Sequence, residues 1–200
     1  SKPLTAEASW ANKGNQAHLI LRPTTYIGGD VYGVSLFSNT IWQYDEQELK
    51  PKYTFDVVIA SQHFIDGTDP YYGEYYIGKA AEQAYCRAYD VMYKNILAYG
   101  DFDILGHYDY VARYSPYSEQ ERDITYKRYG DYIDAIFKYL VENGKTFEIN
   151  TKTYTNHAGY IPKLDLNILK RFKELGGEAL SIGSDTHGRD RFGDNFELYS

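Results

Sequence analysis

The residues best suited to chemistry near the end of the chain are Asp185 and His187, which follow a short apolar segment at 179–182. Gly183 and Ser184 end that segment, so a β-strand there would deliver both side chains to its carboxyl end. A carboxylate beside an imidazole is a mixed oxygen and nitrogen donor pair that suits Zn, Mn or Fe. The alternative is a polar turn after a buried strand, because short motifs often arise by chance.

Three of the five histidines follow predicted strands in this way. They are His63 after the segment 55–60, His107 after 102–105, and His187 after 179–182. Because the carboxyl ends of parallel strands meet at one rim, we expect these rings to lie near one another and near Asp185. This recurrence predicts a metal site, although a single histidine in such a position is more often a hydrogen-bonded core residue. His18 and His157 do not share the pattern and are interpreted as structural or surface residues.

The elements that must position these side chains alternate between strand and helix. Strands are predicted at 18–21, 31–37, 55–60, 102–105, 146–150 and 179–182, and helices at 79–99, 121–142 and 165–175. The first two strands flank a turn at 28–30, and Asp165 is the predicted N-cap of the third helix. Strand and helix alternation indicates an α/β fold with a parallel sheet or barrel. Glu148, within the strand 146–150, is interpreted either as a metal ligand or as a hydrogen-bonded inward residue.

Composition limits the classes of protein to consider. The 200 residues are enough for one domain with a real core, and we treat 1–200 as a single domain. A net charge of -7 argues against nucleic acid or an anionic membrane as the partner. The single cysteine, Cys86, suits a reducing compartment. Because no segment resembles a membrane span or signal peptide, a cytoplasmic location is expected. The 23 tyrosines are interpreted mainly as packing at the edge of the core.

Five segments, taken in order, resemble the polymerase-and-histidinol-phosphatase (PHP) superfamily, in its histidinol-phosphatase branch. They are 60–67 (ASQHFIDG), 69–75 (DPYYGEY), 103–109 (DILGHYD), 147–151 (FEINT) and 183–187 (GSDTH), together with Arg113-Tyr114 and Gly176-Gly177. The resemblance covers about residues 54–190. It implies a distorted TIM-like (β/α)7 barrel whose carboxyl-end rim holds up to three divalent ions, with an atypical or incomplete N-terminal part in this chain.

The resemblance also implies roles for individual residues. His63, His107, Asp185 and His187 would be metal ligands, Asp185 and His187 would also be catalytic, and Arg113 would contact a phosphate. The implied cofactors are one to three divalent ions, Zn, Mn or Fe. The implied reaction is attack of a metal-activated hydroxide on the phosphorus of a small phosphorylated substrate, L-histidinol phosphate, and metals with Arg113 would supply the positive field that this acidic chain lacks.

The family's first strand ends in His-x-His, and residues 1–50 contain only one histidine, His18. Four recognisable ligands cannot saturate three ions, so we predict one or two metals per chain and weak phosphatase activity. Two alternatives stay open. One is a PHP-like domain that serves as a non-catalytic binding or structural module, and the other is an amidohydrolase-type metal hydrolase with a different substrate.

Overall fold

The computed structural model describes residues 56–186 and 193–199, and before them the backbone of three strands. The described strands are β1 (Glu7–Ala8), β2 (Leu19–Tyr26), β3 (Gly29–Leu36), β4 (Val57–Ala60), β5 (Ile104–Leu105), β6 (Thr146–Asn150) and β7 (Leu180–Gly183). The strands predicted at 146–150 and near 180 are confirmed, whereas the one predicted at 102–105 is shorter. The two predicted N-terminal strands do form an antiparallel pair, but the turn predicted at 28–30 was misplaced, because Gly29 and Asp30 belong to β3 and pair with Tyr26 and Thr25.

These seven strands form one sheet in the order in which they occur along the chain. The β1–β2 and β2–β3 pairs are antiparallel, and every pair from β3 to β7 is parallel. A doubly wound sheet reverses its strand order at one point, while a barrel keeps the chain order. The uninterrupted order is therefore the order of a barrel, and closure of the sheet stays a prediction.

The described helices lie between the parallel strands. They are α1 (Ala81–Tyr99), α2 (Tyr110–Arg113), α3 (Glu119–Arg122), α4 (Tyr126–Glu142) and α5 (Leu166–Glu174), with 3-10 turns at Pro70–Tyr72, Glu74–Tyr76 and Phe196–Leu198. α1 ends at Gly100, whose left-handed backbone (φ 63°) lets its N–H donate to the Ile96 carbonyl. The Asp165 side chain caps α5 as predicted, accepting from the N–H of Asn167. Within the described residues, no helix has the length and apolar character needed to span a membrane.

The prediction of one helix over 121–142 was wrong at its start. Asp123, at the end of α3, has an extended backbone (φ -69°, ψ 127°), and α4 begins only at Tyr126. Ser118 and Glu121 form a capping box that starts the separate helix α3. The short helix α2 was missed, because four residues contain too little periodicity to be recognised.

The core lies between the sheet and helices α1, α4 and α5. Phe137 of α4, Phe147 of β6 and Phe172 of α5 are buried, with ring centroids 4.9 to 5.6 Å apart. Such edge and tilted contacts stabilise a core beyond simple area burial.

The interpretation of the tyrosines as edge residues was wrong for several of them. Tyr75, Tyr85, Tyr89 and Tyr129 are among the most deeply buried side chains of the described residues. The Tyr85 hydroxyl donates to Ser115 Oγ at 2.9 Å, and that of Tyr75 donates to the carbonyl of Ala84 at 2.5 Å. A hydrogen-bond partner offsets the cost of desolvating a buried hydroxyl, so Tyr75 and Tyr85 can lie in the core.

Helices α4 and α5 are joined by a two-pronged ion pair. Arg171 Nε and Nη2 donate to Asp134 Oδ1 and Oδ2 at 2.9 and 2.7 Å. The hydrogen bond from Arg171 holds the pKa of Asp134 below its ordinary value of 3.8. Arg171 also contacts Glu174, but that carboxylate is largely exposed.

We expect Asp134→Asn to lower the free energy of unfolding by about 1 kcal/mol at pH 7, because the charge-assisted fork is lost. The folded Asp134 has the lower pKa, so its contribution is complete above 3.8 and disappears as the pH falls through its folded value. Urea unfolding at pH 7 and in acid measures the difference. Glu174→Gln is the matched control and should change little, and an equal loss in both variants would contradict the role of Asp134.

Candidate metal centre

Three of the predicted ligands follow neighbouring parts of one parallel sheet. His63 lies three residues beyond β4, His107 two residues beyond β5, and Asp185 two residues beyond β7. The last residues of β4 and β5, Ala60 and Leu105, are register partners. The parallel sheet therefore brings these loops to one rim, as the sequence predicted.

The rings of His63 and His107 lie together at this rim. Their centroids are 4.7 Å apart and their planes nearly perpendicular. The ring of Tyr110 closes the group, 4.6 Å from that of His63 and 5.1 Å from that of His107. The Tyr110 hydroxyl donates to Asp69 Oδ1 at 3.0 Å.

His107 has the properties of a ligand imidazole. Its Nδ1 atom is buried and has no hydrogen-bond partner among the described residues. Burial and, after it, the nearby positive charge of Arg113 lower the pKa of the His107 ring to about 4. The ring is therefore neutral at physiological pH, which is the form that binds metals. Its backbone has a positive φ of 23°, an unfavourable conformation for a residue with a side chain that is often found at functional sites.

Glu148 of β6 forms hydrogen bonds that hold the backbone at this rim. Its Oε2 atom accepts from the backbone N–H of His107 at 2.7 Å and from Asn150 Nδ2 at 3.0 Å. Burial raises the pKa of the Glu148 carboxyl. A Cβ on Gly183 would lie 2.0 Å from Glu148 Oε1, so glycine leaves the room that this carboxyl occupies. These contacts agree with the interpretation of Glu148 as an inward, hydrogen-bonded residue.

Arg113 and Asp185 form an ion pair at the same rim. Arg113 Nη1 donates to Asp185 Oδ2 at 2.6 Å, and only 1% of the Arg113 side chain is exposed. Burial alone would lower the pKa of Arg113, but the carboxylates of Asp185 and Asp109 raise it, so the guanidinium stays charged. The charge of Arg113 is therefore paired inside the protein and not at its surface. The predicted phosphate contact of Arg113 stays a prediction.

The predicted metal ligands lie only partly within the described residues. Within residues 56–186 and 193–199, no three histidine, cysteine, aspartate or glutamate side chains are placed to hold one ion. His187 and His18 lie outside the described residues. The adjacent imidazoles of His63 and His107 fit a divalent ion such as Zn²⁺, and a further donor is needed to complete its coordination.

Two buried polar residues of this region were not recognised in the sequence. Thr153 Oγ accepts from Arg113 Nε at 2.7 Å and donates to Asp109 Oδ1 at 2.8 Å. Both follow strand ends closely, Asp109 beyond β5 and Thr153 beyond β6. A polar residue soon after the end of a predicted strand was the signal that identified the histidines, and the same signal could have identified Asp109 and Thr153.

Comparison with known proteins adds the family. The model of the PHP domain matches residues 8–152, well over half of the chain. The chain belongs to the PHP domain family. The resemblance inferred from sequence motifs is thereby confirmed.

The relatives of this PHP chain carry one functional name. This chain is 34% identical over 151 residues to a probable histidinol-phosphatase of Clostridium acetobutylicum, and the match covers 76% of this chain and 58% of the relative. It is 35% identical over 140 residues to the histidinol-phosphatase of Lactococcus lactis, covering 66% of this chain and 48% of that one. This chain therefore spans only about half the length of these relatives.

One solved PHP structure is also similar. The crystal structure of histidinol phosphate phosphatase from Lactococcus lactis, in complex with Zn, L-histidinol and phosphate, aligns with a TM-score of 0.67 and 27% identity. The alignment covers 76% of this chain and 57% of that one. This likeness supports the predicted α/β fold of the PHP type.

Gly106, between β5 and His107, is a position where a side chain would disturb the PHP rim. A Cβ there would lie 2.6 Å from Ser61 Oγ and 2.9 Å from Ile59 Cγ2. We expect Gly106→Ala to lower the free energy of unfolding by about 1 to 3 kcal/mol, because packed neighbours must move. Urea unfolding is the measurement.

The matched control for this substitution removes the nearest atom. Gly106→Ala combined with Ser61→Ala should recover part of the lost stability, since the contact with Ile59 remains. Equal stability of Gly106→Ala and the wild type would contradict the close packing of these two strand ends.

Proposed function

We propose that this chain is a metal-dependent phosphomonoesterase of the histidinol-phosphatase type. The observation that carries the proposal is the adjacent pair of imidazoles, His63 and His107, at the same strand-end rim as the Arg113–Asp185 pair. Imidazoles suit a divalent ion, and a guanidinium suits phosphate. The PHP family and the shared name of the relatives support the same activity.

His63 and His107 would hold the ion, together with Asp185 and with His187 of the strand-end motif. When bound, a divalent ion supplies Lewis acidity toward a phosphoryl oxygen and makes water a stronger acid. Arg113 would orient the phosphate, since its Nη2 atom makes no hydrogen bond within the described part of the chain. Asp185, held through Oδ2 by Arg113, has its carboxylate fixed at the rim before substrate binds.

The proposed substrate is L-histidinol phosphate, which hydrolysis converts to L-histidinol and phosphate. Support comes from the relatives named histidinol-phosphatase and from the similar structure that contains Zn, L-histidinol and phosphate. We also propose that residues 1–200 form one PHP domain and that it works in the cytoplasm, where its single cysteine would stay reduced.

The second candidate function is a non-catalytic PHP module. It is favoured by the lack of a group of three ligand side chains among residues 56–186 and 193–199. The two candidates differ in activity and in metal content. One or two ions per chain are expected for the enzyme.

We expect Mn²⁺ or Zn²⁺ to raise the melting temperature of the purified protein. An ion bound only by the folded state stabilises it by about 2.7 kcal/mol at a hundredfold excess over Kd. His107→Ala should abolish most of this increase, and His157→Ala, whose ring contacts Tyr114 outside the imidazole pair, is the control. Each variant is compared with its own metal-free melt, and no metal-dependent increase in the wild type would favour the non-catalytic module.

Phosphate release tests the activity itself. Weak, metal-dependent hydrolysis of L-histidinol phosphate is expected, with loss of activity after EDTA treatment and recovery with Mn²⁺. Asp185→Asn should lower kcat/KM by about a hundredfold, since a ligand of the ion is weakened and Arg113 loses its charged partner. Hydrolysis that survives both EDTA and Asp185→Asn would contradict a metal centre at this rim.

A further inference from the structure

A chain of buried hydrogen bonds crosses the rim behind the proposed metal site. Asp109 Oδ1 accepts from the Thr153 hydroxyl at 2.8 Å, and Thr153 Oγ accepts from Arg113 Nε at 2.7 Å. Arg113 Nη1 then donates to Asp185 Oδ2 at 2.6 Å. The donors and acceptors are consistent along the whole chain, because the one hydroxyl proton of Thr153 goes to Asp109 and its lone pair receives Arg113.

Three of the four members are almost fully withdrawn from solvent. Arg113 and Thr153 are each 1% exposed, and Asp109 is 2% exposed. Hydrogen bonds in such surroundings are stronger than in water, and their partners are more costly to lose. These hydrogen bonds also join the loops after three strands. Asp109 and Arg113 follow β5, Thr153 follows β6 and Asp185 follows β7.

We propose that Thr153, with Asp109 behind it, is a positioning residue that fixes the Arg113 guanidinium and through it the carboxylate of Asp185. Asp185 has a left-handed backbone (φ 46°), an unfavourable conformation for a residue with a side chain. The Arg113 guanidinium donates through Nε to Thr153 and through Nη1 to Asp185. Because the guanidinium is planar and rigid, fixing Nε leaves Nη1 little freedom to move. This inference rests on the function proposed above, in which Asp185 binds the ion.

Thr153 must both accept a hydrogen bond from Arg113 and donate one to Asp109, which requires a hydroxyl. Valine has the same shape but can neither accept from Arg113 nor donate to Asp109. Serine keeps both hydrogen bonds without the methyl group. Thr155, two residues later, is the matched control, because its hydroxyl donates to the carbonyl of Lys152 and not to a member of this series of hydrogen bonds.

The test is the affinity for Mn²⁺, measured by isothermal titration calorimetry on the full chain. Thr153→Val should weaken binding by about tenfold, the usual effect of losing a residue that orients a ligand. Thr153→Ser and Thr155→Val should bind Mn²⁺ as the wild type does. If Thr153→Val does not fold, Thr153→Cys replaces it, because a thiol is a poor donor and acceptor. Equal affinities of the Val or Cys variant and the wild type overturn the inference.

A double-mutant cycle distinguishes positioning from a general structural effect. If Thr153 acts through Arg113, then Thr153→Val adds no further loss of Mn²⁺ affinity once Arg113→Lys is present. Independent, multiplicative losses overturn the inference, even if each single variant is weaker.

Failure of the proposed function would look different. A wild-type chain without measurable Mn²⁺ affinity overturns the metal-dependent activity, and urea unfolding then decides the positioning role. Thr153 and Asp185 are joined through Arg113 in the series of hydrogen bonds. The effects of Thr153→Val and Asp185→Asn on unfolding should therefore be non-additive, and additive effects overturn the positioning of Asp185.

Discussion

The buried guanidinium of Arg113 is the charge on which the arrangement of the strand-end loops depends. An unpaired charge in that position would be strongly destabilising, and breaking a buried pair typically costs about 3 to 5 kcal/mol. Its partners come from the loops after β6 and β7, while Arg113 itself lies in α2, just beyond β5. Arg113 can therefore stay buried and charged only when these three strands are in their native register.

The same charge acts on the His107 ring of the imidazole pair. Together with burial, it keeps His107 neutral, so that the ring nitrogen has a lone pair to donate. Protonation of His107 would place a second positive charge near Arg113 inside the protein. The electrostatic conditions that keep Arg113 paired with Asp185 thus also favour a metal ligand in the loop after β5.

Backbone support for these side chains comes from β6. Glu148 accepts a hydrogen bond from the His107 N–H, and its carboxyl also occupies the space next to Gly183. One buried carboxyl therefore packs against the loop after β5 and against the end of β7. The family model ends at residue 152, before β7 and Asp185. The pairing of β7 with β6 nevertheless continues the parallel sheet, so Asp185 belongs to the same rim as the histidines.

Local sequence patterns determined much of the fold. Helical periodicity and a final glycine defined α1, and an Asp cap defined α5. Strand ends followed by histidine indicated the rim, because side chains at the ends of parallel strands share one edge. The PHP motifs were recognisable for the same reason, since each is a short segment at one strand end.

Only the tertiary structure decided which of these side chains touch. Arg113 and Asp185 are 72 residues apart in sequence, and Thr153 and Asp109 are 44 apart. No spacing rule links such pairs, since their contact depends on the register of the strands between them. Burial was equally invisible, because the sequence favoured tyrosines at the edge of the core, and only packing places Tyr85 and Arg113 inside. The sequence therefore determined the types of donors at the rim, and the folded sheet decided their partners and their charge.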